Sequence, residues 1–196
     1  QRQMCIRDRA WVRGYQGNDL SADTTLMACV KHYALYGAAE AGRDYNTVDM
    51  SRVTAMNYYM RPYQAAVEAG VGSIMTSFNE FESIPATGNT WLLNDVLRKQ
   101  WGFNGFVVSD FTAIAEMVNH GIGNSQAVGV KALKAGVDMD MIADCYHAVL
   151  KKSLEEGKIT EAEIDSACRR ILIAKYQLGL FHDPYKYCNQ KRAAKE

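Results

Sequence analysis

Gly105-Phe106-Val107-Val108-Ser109-Asp110 is the stretch on which the reading of this chain turns. A short apolar run opened by glycine and closed by a polar pair has the form of a strand buried on both faces, with its last residues emerging at the mouth of a sheet. Three more runs share that form: Ala28-Cys29-Val30-Lys31-His32-Tyr33, Gly72-Ser73-Ile74-Met75-Thr76-Ser77 and Gly136-Val137-Asp138-Met139-Asp140-Met141. Helical segments lie between them. Residues 51–69 lack an internal glycine, carry Pro62 as a bend or division, and meet Gly70 as a stop. Asn89 is placed to cap a helix running through Leu92, Leu93, Val96, Leu97 and Trp101. Residues 112–120 read as a helix ended by Gly121, and Ser125 starts another that ends before Gly136. Thr160-Glu161-Ala162-Glu163 has capping-box form, and the stripe Ile164, Ala167, Cys168, Ile171, Leu172 and Leu178 keeps the helical period up to Gly179.

Strands and helices alternating at roughly 30 to 45 residues indicate repeated βαβ units and an α/β fold with a parallel sheet. Half of a (β/α)8 barrel and a small doubly wound sheet both satisfy this. The doubly wound form usually carries a phosphate loop, and the best candidate, Gly121-Ile122-Gly123-Asn124-Ser125-Gln126, lacks the third glycine and follows a helix. A partial barrel is the expected architecture. Polar residues at the C-terminal ends of all the runs agree with it, because barrel enzymes build their active sites on that face.

Composition narrows the function. The 196 residues carry 22 Lys and Arg against 22 Asp and Glu, interspersed, so nothing marks a nucleic-acid surface. No apolar run approaches the roughly 18 residues of a membrane span. The five cysteines are odd in number and scattered, which suits buried small hydrophobes better than a disulfide framework or a zinc site. The four histidines form no metal-ligand pair, so neither metal nor cofactor is expected, and a small neutral ligand fits best.

Asp110 ends an apolar strand beside Phe111, where its carboxylate can attack an anomeric carbon or, alternatively, cap the helix that follows. Lys31 and His32 are paired donors suited to sugar hydroxyls, to a phosphate, or to a structural role. Asp138 and Asp140 alternate, so one faces the barrel interior and the other the helices, and only one is expected to touch substrate. Trp91, Trp101 and the tyrosines are candidate stacking platforms, with Trp101 assigned to the core by its place on an apolar helix face.

From Ala10 to about Cys188 the chain resembles the bacterial β-glucosidase branch of glycoside hydrolase family 3. The matching segments include Lys31-His32-Tyr33-Ala34-Leu35-Tyr36-Gly37, Gly42-Arg43-Asp44-Tyr45-Asn46-Thr47, Met75-Thr76-Ser77-Phe78-Asn79-Glu80, Trp101-Gly102-Phe103, Val107-Val108-Ser109-Asp110, Ala135 through Met141 and Leu178-Gly179-Leu180-Phe181. The resemblance implies a retaining hydrolase of terminal β-linked glucose-like residues, with Asp110 as nucleophile and Lys31 and His32 on the sugar hydroxyls. It also implies that Phe78 stands where a tyrosine often lies. The loop lacks the proline and second histidine of the N-acetylglucosaminidase branch. The four runs correspond to strands five to eight of the family's barrel.

The expected division is therefore a non-native leader over 1–9, half of the barrel domain over 10–182, and the start of a linker over 183–196. By resemblance, the first half-barrel with two further sugar-binding residues, and a C-terminal α/β sandwich supplying the acid/base, belong to the same protein but lie outside this sequence. The expected partners are a β-glucoside or oligosaccharide, those missing parts and, to cover open strand edges, a second copy in a homodimer. No nucleic acid or membrane is expected, and the resemblance places the enzyme in the periplasm or outside the cell. Two rival readings are a non-catalytic sugar-binding or structural remnant and a phosphate-binding barrel enzyme using Lys31; the latter lacks the expected glycine-rich loop.

Overall fold

The computed structural model describes residues 2–195. Gln1, at the head of the expected leader, and Glu196, at the end of the expected linker, lie outside the described residues. Helix α1 (Arg2–Gln16) runs unbroken past residue 9, where the leader was expected to end, and Arg9 pairs with Glu68. Its last residue ties it to the sheet. The buried Gln16 side chain donates to the Gly70 carbonyl (2.9 Å) and accepts from the amides of Ala28 (3.2 Å) and Gly72 (2.8 Å), so one amide group satisfies backbone at the entrances of two strands.

The main sheet is parallel, in the order β1 (Cys29–Tyr33), β3 (Ser73–Thr76), β6 (Phe106–Val108). Cys29 lies opposite Ser73, and Ile74 lies between Val30 and Val107. Central β3 and β6 are buried along most of their length, while β1 alternates exposed and half-buried residues before the fully buried Tyr33, as an edge strand does. The fourth expected strand shrinks to a single bridge. Met139 lies parallel to Val108, the amides of Asp138 and Met139 both donate to the Val107 carbonyl, and the Met141 amide then turns to the Ser109 hydroxyl at 2.8 Å. Ile142 and Asp144 follow at positive φ, which carries the chain away from the sheet.

A second, small sheet is built from segments that follow β1 and β3 in the chain: β2 (Thr47–Val48) pairs in parallel with β4 (Glu80–Phe81), which pairs antiparallel with β5 (Ile84–Pro85). Glu82 and Ser83 both take left-handed φ in the β4–β5 turn, as a tight hairpin requires, and the Glu82 carboxylate receives a two-pronged grip from Arg52 at 2.8 and 2.7 Å.

Pro62 divides residues 51–69 as expected. A Ser51-capped turn, α2 (Arg52–Thr54), passes through a wider π turn (Ala55–Tyr59) and restarts as α3 (Arg61–Glu68), with the proline in the first turn, where its missing N–H costs nothing. α1 packs on α3. Asn89 accepts from the Leu92 amide at 3.1 Å and heads the π-wound helix Trp91–Gln100, which buries Leu92, Leu93, Val96 and Leu97. The helix expected over 112–120 is shorter, α4 (Ala113–Glu116), because Thr112 enters at φ 57° and the chain leaves in turns from Met117.

α5 (Ser125–Ala135) begins at Asn124 and stops at Gly136, φ 109°. It packs closely on α6 (Cys145–Glu155), an element with no sequence-based expectation. A Cβ added at Gly129 would lie 2.8 Å from a Val149 methyl, so glycine sets the approach of those two helices. α7 (Glu161–Gln177) carries the complete Thr160–Glu163 capping box. Its stripe is shallower than expected: Ala167 and Ala174 are buried, whereas Cys168 and Leu172 are exposed. The cysteine expectation is corrected likewise. All five are free thiols, only Cys145 is buried, and Cys29, Cys168 and Cys188 are exposed.

Candidate active site

β1, β3 and β6 run parallel, so their C-terminal ends bring His32, Phe78 and Asp110 to one mouth. The Asp110 side chain is only 14% exposed. One carboxylate oxygen, Oδ1, accepts from the Phe111 amide at 2.7 Å. The other, Oδ2, lies 3.4 Å from His32 Nε2. Asp110 thus has one oxygen held by backbone and one facing a histidine from the other edge of the sheet. No side-chain cap joins Asp110 to α4, so the helix-capping alternative leaves its carboxylate unused for that purpose.

His32 is set from behind. Tyr63 donates its hydroxyl to the His32 carbonyl at 2.5 Å, and the His32 ring meets the edge of Tyr36 at 5.3 Å between centroids. Tyr36 leans on Phe78 (6.0 Å), and Phe78 on Tyr45 (4.7 Å). The Asp44 carboxylate accepts from the Tyr36 hydroxyl and from the Tyr45 amide, the latter at 2.9 Å. Burial, then the hydrogen bond and charge of Asp44, push the Tyr36 hydroxyl well up from the ordinary tyrosine value. These rings make a continuous arc from the nucleophile candidate outward.

Lys31 is exposed. It lines an apolar cavity of about 990 Å³ beside β1, walled by residues such as Trp11, Val12, Cys29, Tyr58 and Tyr63. That cavity meets the ring arc only at Tyr36 and is centred on the sheet edge rather than on Asp110.

Asp138 and Asp140 were both candidates, with only one of them expected to touch substrate; the Asp138 side chain is 1% exposed and both its oxygens are occupied. Oδ2 accepts from Arg98 (2.7 Å) and the Val107 amide (2.8 Å), and Oδ1 from Arg170 (2.6 Å). Burial pushes this carboxyl up and the Arg98 guanidinium down, against the pull of each charge on the other. The cluster ties helix Trp91–Gln100 and α7 to the strand that ends in Asp110. Asp140 Oδ2 accepts from the Tyr146 amide at 3.1 Å in the first turn of α6, while its Oδ1 has no hydrogen-bond partner among the described residues. Trp91 is covered by Arg52 at 4.4 Å, and Trp101 meets the edge of the buried Tyr33, so neither is a free stacking platform.

Removing the Asp138 carboxylate leaves two arginines facing one another without a counter-charge. Asp138→Ala is therefore expected to destabilise the domain by about 3–5 kcal/mol. Denaturant titration followed by tryptophan fluorescence reads this directly, and an unmoved midpoint would contradict the assignment.

A second polar group was not anticipated. His120 Nδ1 lies 2.6 Å from Glu80 Oε1, and Thr47 donates to Glu80 Oε2 at 2.6 Å, which links the small sheet to the loop after α4. Burial acts to raise the Glu80 carboxyl, but hydrogen bonds from Thr47 and His120 and the charge of His120 outweigh it and hold it below the usual value. Among the described residues, no group of three metal-ligating side chains occurs, and no helix is long and apolar enough to cross a membrane.

Known proteins resemble this chain over most of its length. A periplasmic beta-glucosidase from Salmonella typhimurium is 44% identical over 189 residues, covering 96% of this chain and 25% of its own length. A beta-xylosidase from Formosa agariphila is 38% identical, over 88% of this chain and 25% of its own length. The crystal structure of a mutant beta-glucosidase from Listeria innocua in complex with laminaribiose superposes with a TM-score of 0.92 at 44% identity, covering 95% of this chain and 26% of that one. The chain thus spans about a quarter of the length of these relatives. Residues 7–174 match the glycosyl hydrolase family 3 N terminal domain, and with them the Asp110–His32 mouth and its ring arc fall inside that match: the chain belongs to glycosyl hydrolase family 3.

Proposed function

We propose that this chain is the nucleophile-bearing half of the catalytic barrel of a larger retaining β-glycosidase, which removes terminal β-linked glucose-like residues. The observation that carries the reading is the state of Asp110: sheltered, fixed through Oδ1 by the Phe111 amide, and facing His32 through Oδ2. In the first step Oδ2 attacks the anomeric carbon, forming a glycosyl ester as the bond to the leaving oxygen breaks. An acid/base group outside this chain gives that oxygen its proton. In the second step the same group deprotonates water, which attacks the anomeric carbon and releases Asp110 as a carboxylate. Two inversions leave the product with the configuration of the substrate.

Lys31 and His32 are assigned to the hydroxyls of the sugar next to the scissile bond. His32 has the nearer claim, since its ring already faces Asp110. A hydrogen bond from a charged donor contributes roughly 1.5–3 kcal/mol, so His32→Ala or Lys31→Ala is expected to lower kcat/KM by about ten- to a hundredfold without changing the products. Unchanged kinetics in both variants would assign the pair to structure. The names of the Salmonella and Listeria relatives favour a glucoside, and that of the Formosa relative admits a xyloside. The name of the Salmonella protein also supports a periplasmic setting. Nitrophenyl β-glucoside, β-xyloside and N-acetylglucosaminide, offered to the full-length protein with the product anomer followed by NMR, test the reading. Release of α-glucose first, or no turnover of any of them, would sink it.

A further inference from the structure

Tyr45 is the outermost ring of the arc that starts at His32, and its backbone is unusual. It takes φ 62°, a left-handed conformation that a side chain as large as tyrosine rarely adopts because its Cβ crowds the backbone, at a steric cost. Two contacts hold it there. Its amide donates to Asp44, which also anchors Tyr36, and its ring rests on Phe78 at 4.7 Å. Despite that cost the ring is not buried, since Tyr45 remains 40% exposed. A strained backbone that serves to present an aromatic surface to solvent at the mouth of a site points to a ligand contact.

The chemistry around the ring limits what that ligand is. Partial burial, then the charges of Asp44, Glu116 and Asp110, push the Tyr45 hydroxyl up, so the ring stands among carboxylates that include the nucleophile candidate. An anionic group is unwelcome there. A neutral sugar ring, with its apolar C–H face, or an uncharged aromatic group is suited to it.

We infer that Tyr45, backed by Phe78 and fixed by Asp44, is the platform for the leaving-group side of the substrate, and that it selects neutral sugar or aromatic aglycones. This inference rests on the glycosidase reading above and adds to it a specificity-determining residue on the departing side of the bond.

The test uses the full-length protein and compares three substrates: laminaribiose, 4-nitrophenyl β-glucoside and β-glucosyl fluoride, whose departing fluoride has no ring to stack. Tyr45→Gly removes the ring and relieves the left-handed strain, so its melting temperature is not expected to fall. Its kcat/KM is expected to drop about tenfold on the two substrates with ring aglycones, mostly through KM, and to change less than about twofold on the fluoride. Tyr45→Phe is expected to behave like the wild type. In the wild type, 4-carboxyphenyl β-glucoside is expected to be a poorer substrate than the nitrophenyl compound. Equal losses on all three substrates, no loss on the ring aglycones, or a melting temperature that falls together with all activities would overturn the assignment. A wild type that cleaves none of them would instead overturn the glycosidase reading itself, so the two failures are distinguishable.

Discussion

Replacing Asp110 with alanine in the full-length protein is expected to lower kcat at least about 10³-fold while the fold persists. The size of the loss follows from the role. Without the carboxylate no glycosyl ester forms, and only the remaining binding contacts and the acid/base are left to promote departure of the aglycone. The fold should tolerate the change, because the Asp110 carboxylate takes no part in the core: it meets the amide of the next residue and His32 at 3.4 Å, and the bonds to the Asp110 carbonyl survive the substitution. Added azide or formate should restore part of the rate by entering the space left by the carboxylate and attacking the anomeric carbon. An Asp110→Ala enzyme with near-normal turnover would show that the nucleophile is another residue.

Residues 10–196 expressed alone are expected to have no measurable activity on nitrophenyl β-glucoside under conditions where the full-length protein is active. Retention needs a second carboxyl group about 5 Å from the nucleophile, to protonate the leaving oxygen and later activate water. In the site as described, Asp110 is met by a histidine, a backbone amide and a ring arc, and the proposed source of the acid/base lies outside this chain. Association is expected as well. β1 is an edge strand with exposed Cys29 and Lys31, flanked by an apolar cavity of about 990 Å³, and such an edge invites pairing with another chain or a second copy. Light scattering and the assay read the two expectations separately. Turnover by residues 10–196 at the full-length rate would mean that the second group lies within this sequence.

The parts of this fold that were legible in the sequence are those with a local physical signature. Strands of a parallel sheet announce themselves as short apolar runs closed by polar residues, which is why β1, β3 and β6 and the places of His32 and Asp110 at their C-terminal ends were legible, although the exposure of the edge strand β1 was not. The capping box at Thr160, the Asn89 cap and the break at Pro62 were legible for the same reason: each is chemistry between neighbours in the chain. Which of Asp138 and Asp140 is tied up inside the fold was not legible, because alternation gives the face of a residue and not its neighbours. The Asp138 partners Arg98 and Arg170 are 40 and 32 residues away, and nothing near Asp138 announces them.

The small sheet has strands of two residues, too short for any period to register. α6 has no cap at the residue that precedes it, since Asp144 sits at φ 57° with no side-chain hydrogen bond to the helix, and the carboxylate that accepts from its Tyr146 amide comes from Asp140, six residues earlier. The ring arc was hidden because Tyr36, Tyr45 and Phe78 meet only when loops from two strands converge. One signal for it was present in the sequence, namely an aspartate directly before a tyrosine in Asp44-Tyr45, a pair able to set a turn.

The nucleophile is tested most directly by trapping it. The full-length protein is incubated with a 2-deoxy-2-fluoro-β-glucoside carrying a dinitrophenyl leaving group. The fluorine slows both chemical steps by destabilising the positively charged transition state, and the reactive leaving group lets the first step outrun the second. Peptic digestion and mass spectrometry then locate the fluoroglucosyl group. The expected result is stoichiometric inactivation with the label on the peptide containing Val107-Val108-Ser109-Asp110, at Asp110, and no labelling of Asp110→Ala. A label on Asp44, Glu80, Glu116 or another carboxylate, or continued turnover with no covalent adduct at all, would contradict Asp110 as the nucleophile of a retaining glycosidase.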